Sequence, residues 1–182
     1  TNPQLEDIVN NIVTLAASKG LPTETLSISL IDLKSQTYAG YQERIPRFPA
    51  SISKLFWMVA LYANFESEML ALDLIRTDAL CKTDICRMMQ KSDNESASRI
   101  VDKITKTTSG SQLSLDEYAS WIEKRNYLNA FFQNAGYDRI DINQKNFPIP
   151  YLKLDEPQGR DLQMRGRDRK PIRNQMTTEQ AA

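Results

Sequence analysis

Pro49-Ala50-Ser51-Ile52-Ser53-Lys54-Leu55-Phe56-Trp57-Met58-Val59 carries a serine three residues ahead of a lysine at the head of an apolar run. Pro46 and Pro49 break the chain before it, and Leu55, Phe56, Met58, Val59, Leu61 and Tyr62 are apolar almost all round, which predicts a buried helix. Residues three apart share a helix face, so Lys54 lies beside the hydroxyl of Ser51. A serine hydroxyl attacks poorly until a neighbouring base takes its proton, and an amine at this spacing can do so. Taken alone, the residues also allow a plainer account. Serine after Pro-Ala caps a helix well, and Lys54 is then a solvated first-turn residue. Ser53 is a second candidate hydroxyl, but the residue three further on is Phe56, which offers no base.

The composition limits what that serine can use. None of the 182 residues is histidine, which excludes a Ser-His-Asp triad, a Cys-His pair and a His-ligated zinc hydrolase within this chain. An activated nucleophile here must rely on a lysine, a carboxylate or a water held by one of them. The 23 basic and 23 acidic residues balance, giving no general attraction to nucleic acid or membrane. The apolar run from Leu55 to Ala63 is far too short to cross a bilayer. No basic-then-apolar leader precedes Leu5, and a leader removed ahead of Thr1 fits the missing methionine. Cys81 and Cys86 are five apart, so they form either a bridge across a turn or two buried free thiols.

Outward from residue 51, periodicity sets the elements. Leu5, Ile8, Val9, Ile12, Leu15 and Ala16 recur at helical spacing until Gly20-Leu21-Pro22 stops them. Leu26 to Asp32, the Lys34-Ser35-Gln36 turn and Thr37 to Tyr41 predict a β-hairpin. Helices are expected over Glu66 to Arg76, Ile85 to Met89 and Ser96 to Ile104. Another follows the capping-box pattern Ser114-Leu115-Asp116-Glu117, is interrupted at Asn126 and ends at Gly136. Trp57, Trp121, Met88 and Met89 are assigned to the core. From Tyr137 to Gln175 periodicity disappears and a long loop is expected. Arg160, Arg165, Arg167, Arg169, Lys170 and Arg173 cluster in it, with no aromatic residue between Arg160 and Arg173 to stack a base. A solvated loop face is favoured over a nucleic-acid patch, and the cluster suits an anionic ligand.

The second cue is Ser92-Asp93-Asn94, whose residue types also suit a turn and helix start. Hairpin, Pro49 to Lys54, buried helix and Met88-Met89-Gln90-Lys91-Ser92-Asp93-Asn94-Glu95-Ser96-Ala97 come in an order that resembles class A serine β-lactamases, within the β-lactamase and penicillin-binding-protein superfamily. The resemblance covers roughly residues 5 to 105 and resumes at Leu128 to Gly136 and Met176-Thr177-Thr178. It implies an α/β (α+β) fold, mostly helical, with the N-terminal helix and hairpin belonging to an antiparallel sheet. The expected organisation is a single β-lactamase-like domain over 1–182: helix and hairpin at 1–50, a helical region at 51–136, the loop at 137–175, and a helix beginning at 176–182. The family's Lys-Thr-Gly strand is absent, so the domain is expected to be incomplete and its hairpin to want further sheet partners.

For the site, the resemblance implies that Ser51 attacks a lactam or peptide carbonyl and that Lys54 helps remove its proton. Ser92 relays that proton to the leaving nitrogen, Asn94 binds the substrate amide and the lysine, and Asp93 is structural. The Ser51 N–H is one oxyanion donor at a helix start. Where the family keeps a Glu-x-x-x-Asn for deacylation, this chain has Asn146-Phe147-Pro148, and Glu156 ten residues later is the candidate base. The segment from Thr105 to Asn126 is longer than the family usually has there, as surface decoration or as a partner contact. Two functions follow: an acyl-hydrolase of β-lactams or cell-wall-like peptides, or a non-hydrolysing penicillin-binding or catalytically silent protein of this fold. The same resemblance implies a small-molecule substrate, no metal or organic cofactor, a monomer, and a bacterial periplasmic or secreted location.

Overall fold

A computed structural model describes residues 2–67, 83–166 and 173–182. The chain divides into two compact units, residues 1–47 with 175–182, and residues 48–174.

In the first unit, helix α1 (Pro3–Ser18) starts with Asn2 as its cap, whose side chain accepts from the Gln4 N–H. Strands β1 (Ile28–Asp32) and β2 (Thr37–Tyr41) pair antiparallel, with Leu30 opposite Ala39, as the hairpin pattern predicts. Helix α1 packs on this ribbon and buries Val9, while Ile8, Ile12 and Leu15 on its apolar stripe remain 42–58% exposed. A two-stranded ribbon is too narrow to cover a full amphipathic face. At the other end Arg47 and Met176 form an isolated bridge, and the short helix α8 (Thr178–Ala181) is capped by Thr177, whose hydroxyl accepts from the Gln180 N–H.

The second unit is helical. Helix α2 (Ser53–Glu66) buries Phe56, Trp57, Ala60, Leu61 and Phe65. The expectation that it is buried all round needs correction, because Leu55, Val59 and Tyr62 line one face and are 39–45% exposed. Trp57 is fully buried and its indole N–H donates to the Ile142 carbonyl at 2.8 Å. Burying roughly 200 Å² of indole at about 25 cal/mol per Å² contributes at most about 5 kcal/mol. That contact fixes the start of the long loop to the helix that carries Lys54.

Helices α3 (Asp84–Gln90) and α4 (Asn94–Thr105) are clamped by Arg99, whose guanidinium meets both oxygens of Asp84 and, through another nitrogen, Glu95 at 2.8 Å. Met88 is buried, whereas Met89, assigned to the core with it, is 37% exposed. Helix α5 (Leu115–Arg125) begins with the predicted capping box, Glu117 accepting from both the N–H and the hydroxyl of Ser114. Asn126 separates it from α6 (Tyr127–Asn134), and Phe132 packs edge-on against Phe56 at 5.1 Å. Gly136, at φ +96°, ends α6. The helix expected over Glu66 to Arg76 lies beyond Ser67 outside the described residues, and Glu66 itself closes α2. Cys86 is disulfide-bonded, so the free-thiol alternative fails for it; Cys81 lies outside the described residues.

The stretch read as unstructured loop contains helix α7 (Gly159–Arg165), too short and too arginine-rich to leave an apolar period. It is held from outside. Gln163 accepts from the Leu113 N–H at 2.8 Å and donates to the Leu113 carbonyl at 2.9 Å. Gly159, at φ +52°, sits so close to Gly110 that a Cβ there would lie 1.9 Å from the Gly110 oxygen. Contacts with the long loop, rather than surface decoration, are thus what the front of segment 105–126 makes.

Candidate active site

Ser51 occupies a tight helical turn, Ala50–Ile52, that leads into α2. Ala50 adopts φ +47°, a backbone state costing a non-glycine residue about 1 kcal/mol or more. Its carbonyl accepts from Ser53 Oγ at 2.9 Å and from the Asn146 amide at 3.2 Å, which holds the turn. Ser53 is fully buried and committed to that bond, so it is no rival nucleophile. No side chain caps α2, and the Ser51 hydroxyl points elsewhere, which removes the capping account of this residue.

That hydroxyl meets Lys54 and Ser92. Lys54 Nζ lies 3.2 Å from Ser51 Oγ, 3.1 Å from Ser92 Oγ and 2.7 Å from Asn94 Oδ1, and it also donates to the Ser92 carbonyl. Ser92 Oγ stands 2.9 Å from Ser51 Oγ. Lys54 is only 2% exposed, so it is not a solvated first-turn residue. Burial pushes its amine below the ordinary lysine value, against the opposing charge of Asp93.

Four oxygens surround Lys54 Nζ, an atom that carries three protons as ammonium and two as amine. Two of the four, the Ser92 carbonyl and Asn94 Oδ1, can only accept. An ammonium satisfies both and donates to one hydroxyl besides, whereas a neutral amine satisfies both and leaves its lone pair for a hydroxyl, so the surroundings accommodate either form. Ser92 reaches this position at φ +53°, so its carbonyl and its hydroxyl face the same amine. Asp93 caps α4, accepting from the Ser96 N–H at 2.7 Å, and thereby places Asn94 in the first turn. The turn-and-helix-start account of this triplet and its part in the cluster are both true.

A cavity of about 320 Å³ opens beside Ser51 and Asn94, and Glu156, Arg165 and Arg173 line it. Glu156 therefore shares the cavity with Ser51, though it makes no ion pair within 4 Å among the described residues. The arginine cluster, read as a solvated face, divides on inspection. Arg165 and Arg173 face this cavity, Arg160 donates to the Ser111 carbonyl, and Arg167, Arg169 and Lys170 lie outside the described residues.

Sequence reasoning missed Lys145 and Asn146 as members. The Asn146 amide donates to Ser53 Oγ and to Ala50, on the floor beside Ser51. Lys145 is 2% exposed and ion-pairs with Asp102 at 2.7 Å, while the fully buried Arg125 lies 3.4 Å from Asp102 and 4.0 Å from Asp161. Burial pushes the Asp102 carboxyl up and the Lys145 amine down, each partly offset by the other. The only sequence signal was a charged residue in every part of this network, and charge of that kind ordinarily reads as surface.

A polar cluster of two serines, a buried lysine and an asparagine on a helical unit, in a chain that also carries an antiparallel hairpin, fits one class of protein. The chain belongs to the beta-lactamase enzyme family, whose model matches residues 4–182. Among curated proteins and among solved structures, no match reaches significance. The family match supports a β-lactamase-like serine hydrolase in general and a small-molecule substrate, on a mostly helical α/β fold. No described helix is long and apolar enough to cross a membrane.

Proposed function

We propose that this protein is a serine acyl-transferring enzyme acylated at Ser51 by β-lactams or cell-wall-like peptides. The observation that carries the reading is the buried Lys54 amine, with its two obligate acceptors satisfied and the Ser51 hydroxyl 3.2 Å away. As Ser51 Oγ bonds to the carbonyl carbon, its proton passes to the Lys54 lone pair. The carbon–nitrogen bond then breaks, and the proton moves from Lys54 through Ser92 Oγ, 3.1 Å away, to the departing nitrogen. The Ser51 N–H, on a turn entering α2, faces the developing oxyanion. Asn94 holds the lysine and the substrate amide. No metal or organic cofactor enters this scheme.

Hydrolysis further needs a base for water, and Glu156 is the carboxylate we assign, from its place on the shared cavity. A second reading, a long-lived acyl-enzyme, is favoured by one observation. The side chain against the Ser51 turn is the Asn146 amide, which cannot take a proton from water. A monomer in a bacterial periplasm or outside the cell suits either substrate class.

Intact mass after incubation with a fluorescent penicillin tests the proposal. A covalent adduct on the natural sequence and none on Ser51→Ala is expected, at nearly unchanged melting temperature because Ser51 is exposed. A labelled Ser51→Ala variant would refute the assignment. Adduct that persists marks the penicillin-binding outcome; opened drug with free protein marks a hydrolase.

A further inference from the structure

Arg165 and Arg173 share the cavity beside Ser51, yet neither forms an ion pair within 4 Å among the described residues. Buried guanidinium groups are ordinarily matched by acceptors, because an unpaired donor loses its water without replacement. Here Arg165 Nε is buried without a hydrogen-bond partner. Burial, followed by the charge of Arg173, pushes the Arg165 guanidinium below its ordinary value, and Glu156 opposes this with the weaker effect. Arg173 is held in place by lying over the Phe48 ring at 5.4 Å. Lys145, the other cation on this wall, is already taken by Asp102. The half-buried Arg165, with its orphaned N–H, and the exposed Arg173 thus line a space that Ser51 and Asn94 also line, with Glu156 and Asp155 as the acidic groups on the same lining.

We propose that Arg165 and Arg173 form an anion subsite beside Ser51 that selects substrates bearing a free carboxylate on the acyl side chain, the substituent on the carbonyl side of the scissile amide bond. This rests on the reading of Ser51 as the acylated residue. A carboxylate is a planar two-oxygen acceptor that a guanidinium fork matches, and such charge-assisted pairs exceed neutral hydrogen bonds roughly twofold in strength. A ligand tethered at Ser51 and ending in that group fills both halves of the cavity.

Two measurements separate this subsite from the chemistry at Ser51. The first compares acylation by benzylpenicillin and by carbenicillin, which adds one carboxylate to the acyl side chain, followed by intact mass. The ratio of their rates on the same protein is expected to favour carbenicillin about tenfold and to fall to about one in Arg165→Gln/Arg173→Gln. Equal rates on the natural sequence, or a preference that survives the double substitution, would overturn the subsite. The second measures equilibrium binding to Ser51→Ala by ligand-observed NMR, using phenylmalonamate against neutral phenylacetamide. About tenfold tighter binding of the anion is expected, lost in Arg173→Gln, an exposed position whose replacement leaves the fold intact. If neither drug acylates Ser51 but the anion preference appears and depends on Arg173, the subsite stands and the acyl-transfer reading falls. If the preference is missing in this second measurement, the subsite falls whatever the drugs do.

Discussion

The Ser92 hydroxyl donates to Ser51 Oγ at 2.9 Å, while the same residue's carbonyl accepts from Lys54. One residue therefore orients the Ser51 hydroxyl and fixes the amine beside it. Both contacts depend on the φ of +53° at Ser92, and a residue that relaxes to the ordinary helical or extended regions turns one group away.

Lys54 should give acylation a distinctive pH profile. Only the neutral amine accepts the Ser51 proton, so the second-order acylation rate rises with pH and levels off below the ordinary lysine value. The unfolded chain binds more protons than the folded one between the depressed value and the ordinary one. Stability associated with Lys54 is thus present above that window and is lost as pH falls through it. Lys54→Met should flatten this part of the stability curve in urea melts and slow acylation about a hundredfold or more. A rate that keeps climbing to the ordinary lysine value would show an unshifted amine.

Glu156→Gln tests the step after acylation. If Glu156 activates the water, the adduct's half-life, followed by mass, lengthens about a hundredfold with the acylation rate little changed. An unaltered half-life removes Glu156 from deacylation and leaves the long-lived acyl-enzyme as the reading to pursue.

The approach of Gly159 to Gly110 should be costly to disturb. Gly159→Ala places a methyl group 1.9 Å from a backbone oxygen at φ +52°, and we expect a loss of about 2–4 kcal/mol in urea melts. Gly136→Ala, at φ +96° with open space around it, carries strain alone and should cost about 1 kcal/mol. Equal losses at the two positions would mean that the backbone contact contributes nothing.

Asp102 balances two buried cations. Asp102→Asn leaves Lys145 without its partner and Arg125 with only the more distant Asp161, so a loss of about 3–5 kcal/mol is expected. The exposed Arg44–Glu179 pair is the control, since Arg44→Ala should change stability by less than about 1 kcal/mol. Comparable effects of the two substitutions would contradict the buried network.

Each half of the candidate cluster was legible as a local motif, and the resemblance to class A β-lactamases is what joined the two halves. Ser51 and Lys54 are one helical step apart, and Asp93 is a cap whose residue type announces a helix start. The hairpin and α1 were legible for the same reason, having periods of two and of 3.6. What stayed hidden depends on partners distant in sequence. Helix α7 is short and is held by Leu113 and Gly110, so no apolar rhythm marks it. Arg165 reads as a surface charge until Phe48, Glu156 and Ser51 are brought around it. Leu55, Val59 and Tyr62 read as core because composition gives the apolarity of a face and not what covers it.

The paired amide contacts between Gln163 and Leu113 also bear on how this chain tolerates change. A loop pinned from outside resists substitution at its pins as well as at its buried side chains, and is tolerant elsewhere. In a saturating mutational library scored by folding, intolerance should fall at Gly110, Gly159 and Gln163 as well as at the buried Ile142, Lys145, Ile149 and Asp161. The exposed Asp155 on the cavity lining, which makes no ion pair within 4 Å among the described residues, should drift freely, which gives this side of the cavity room to acquire new substrate preferences without refolding the rest.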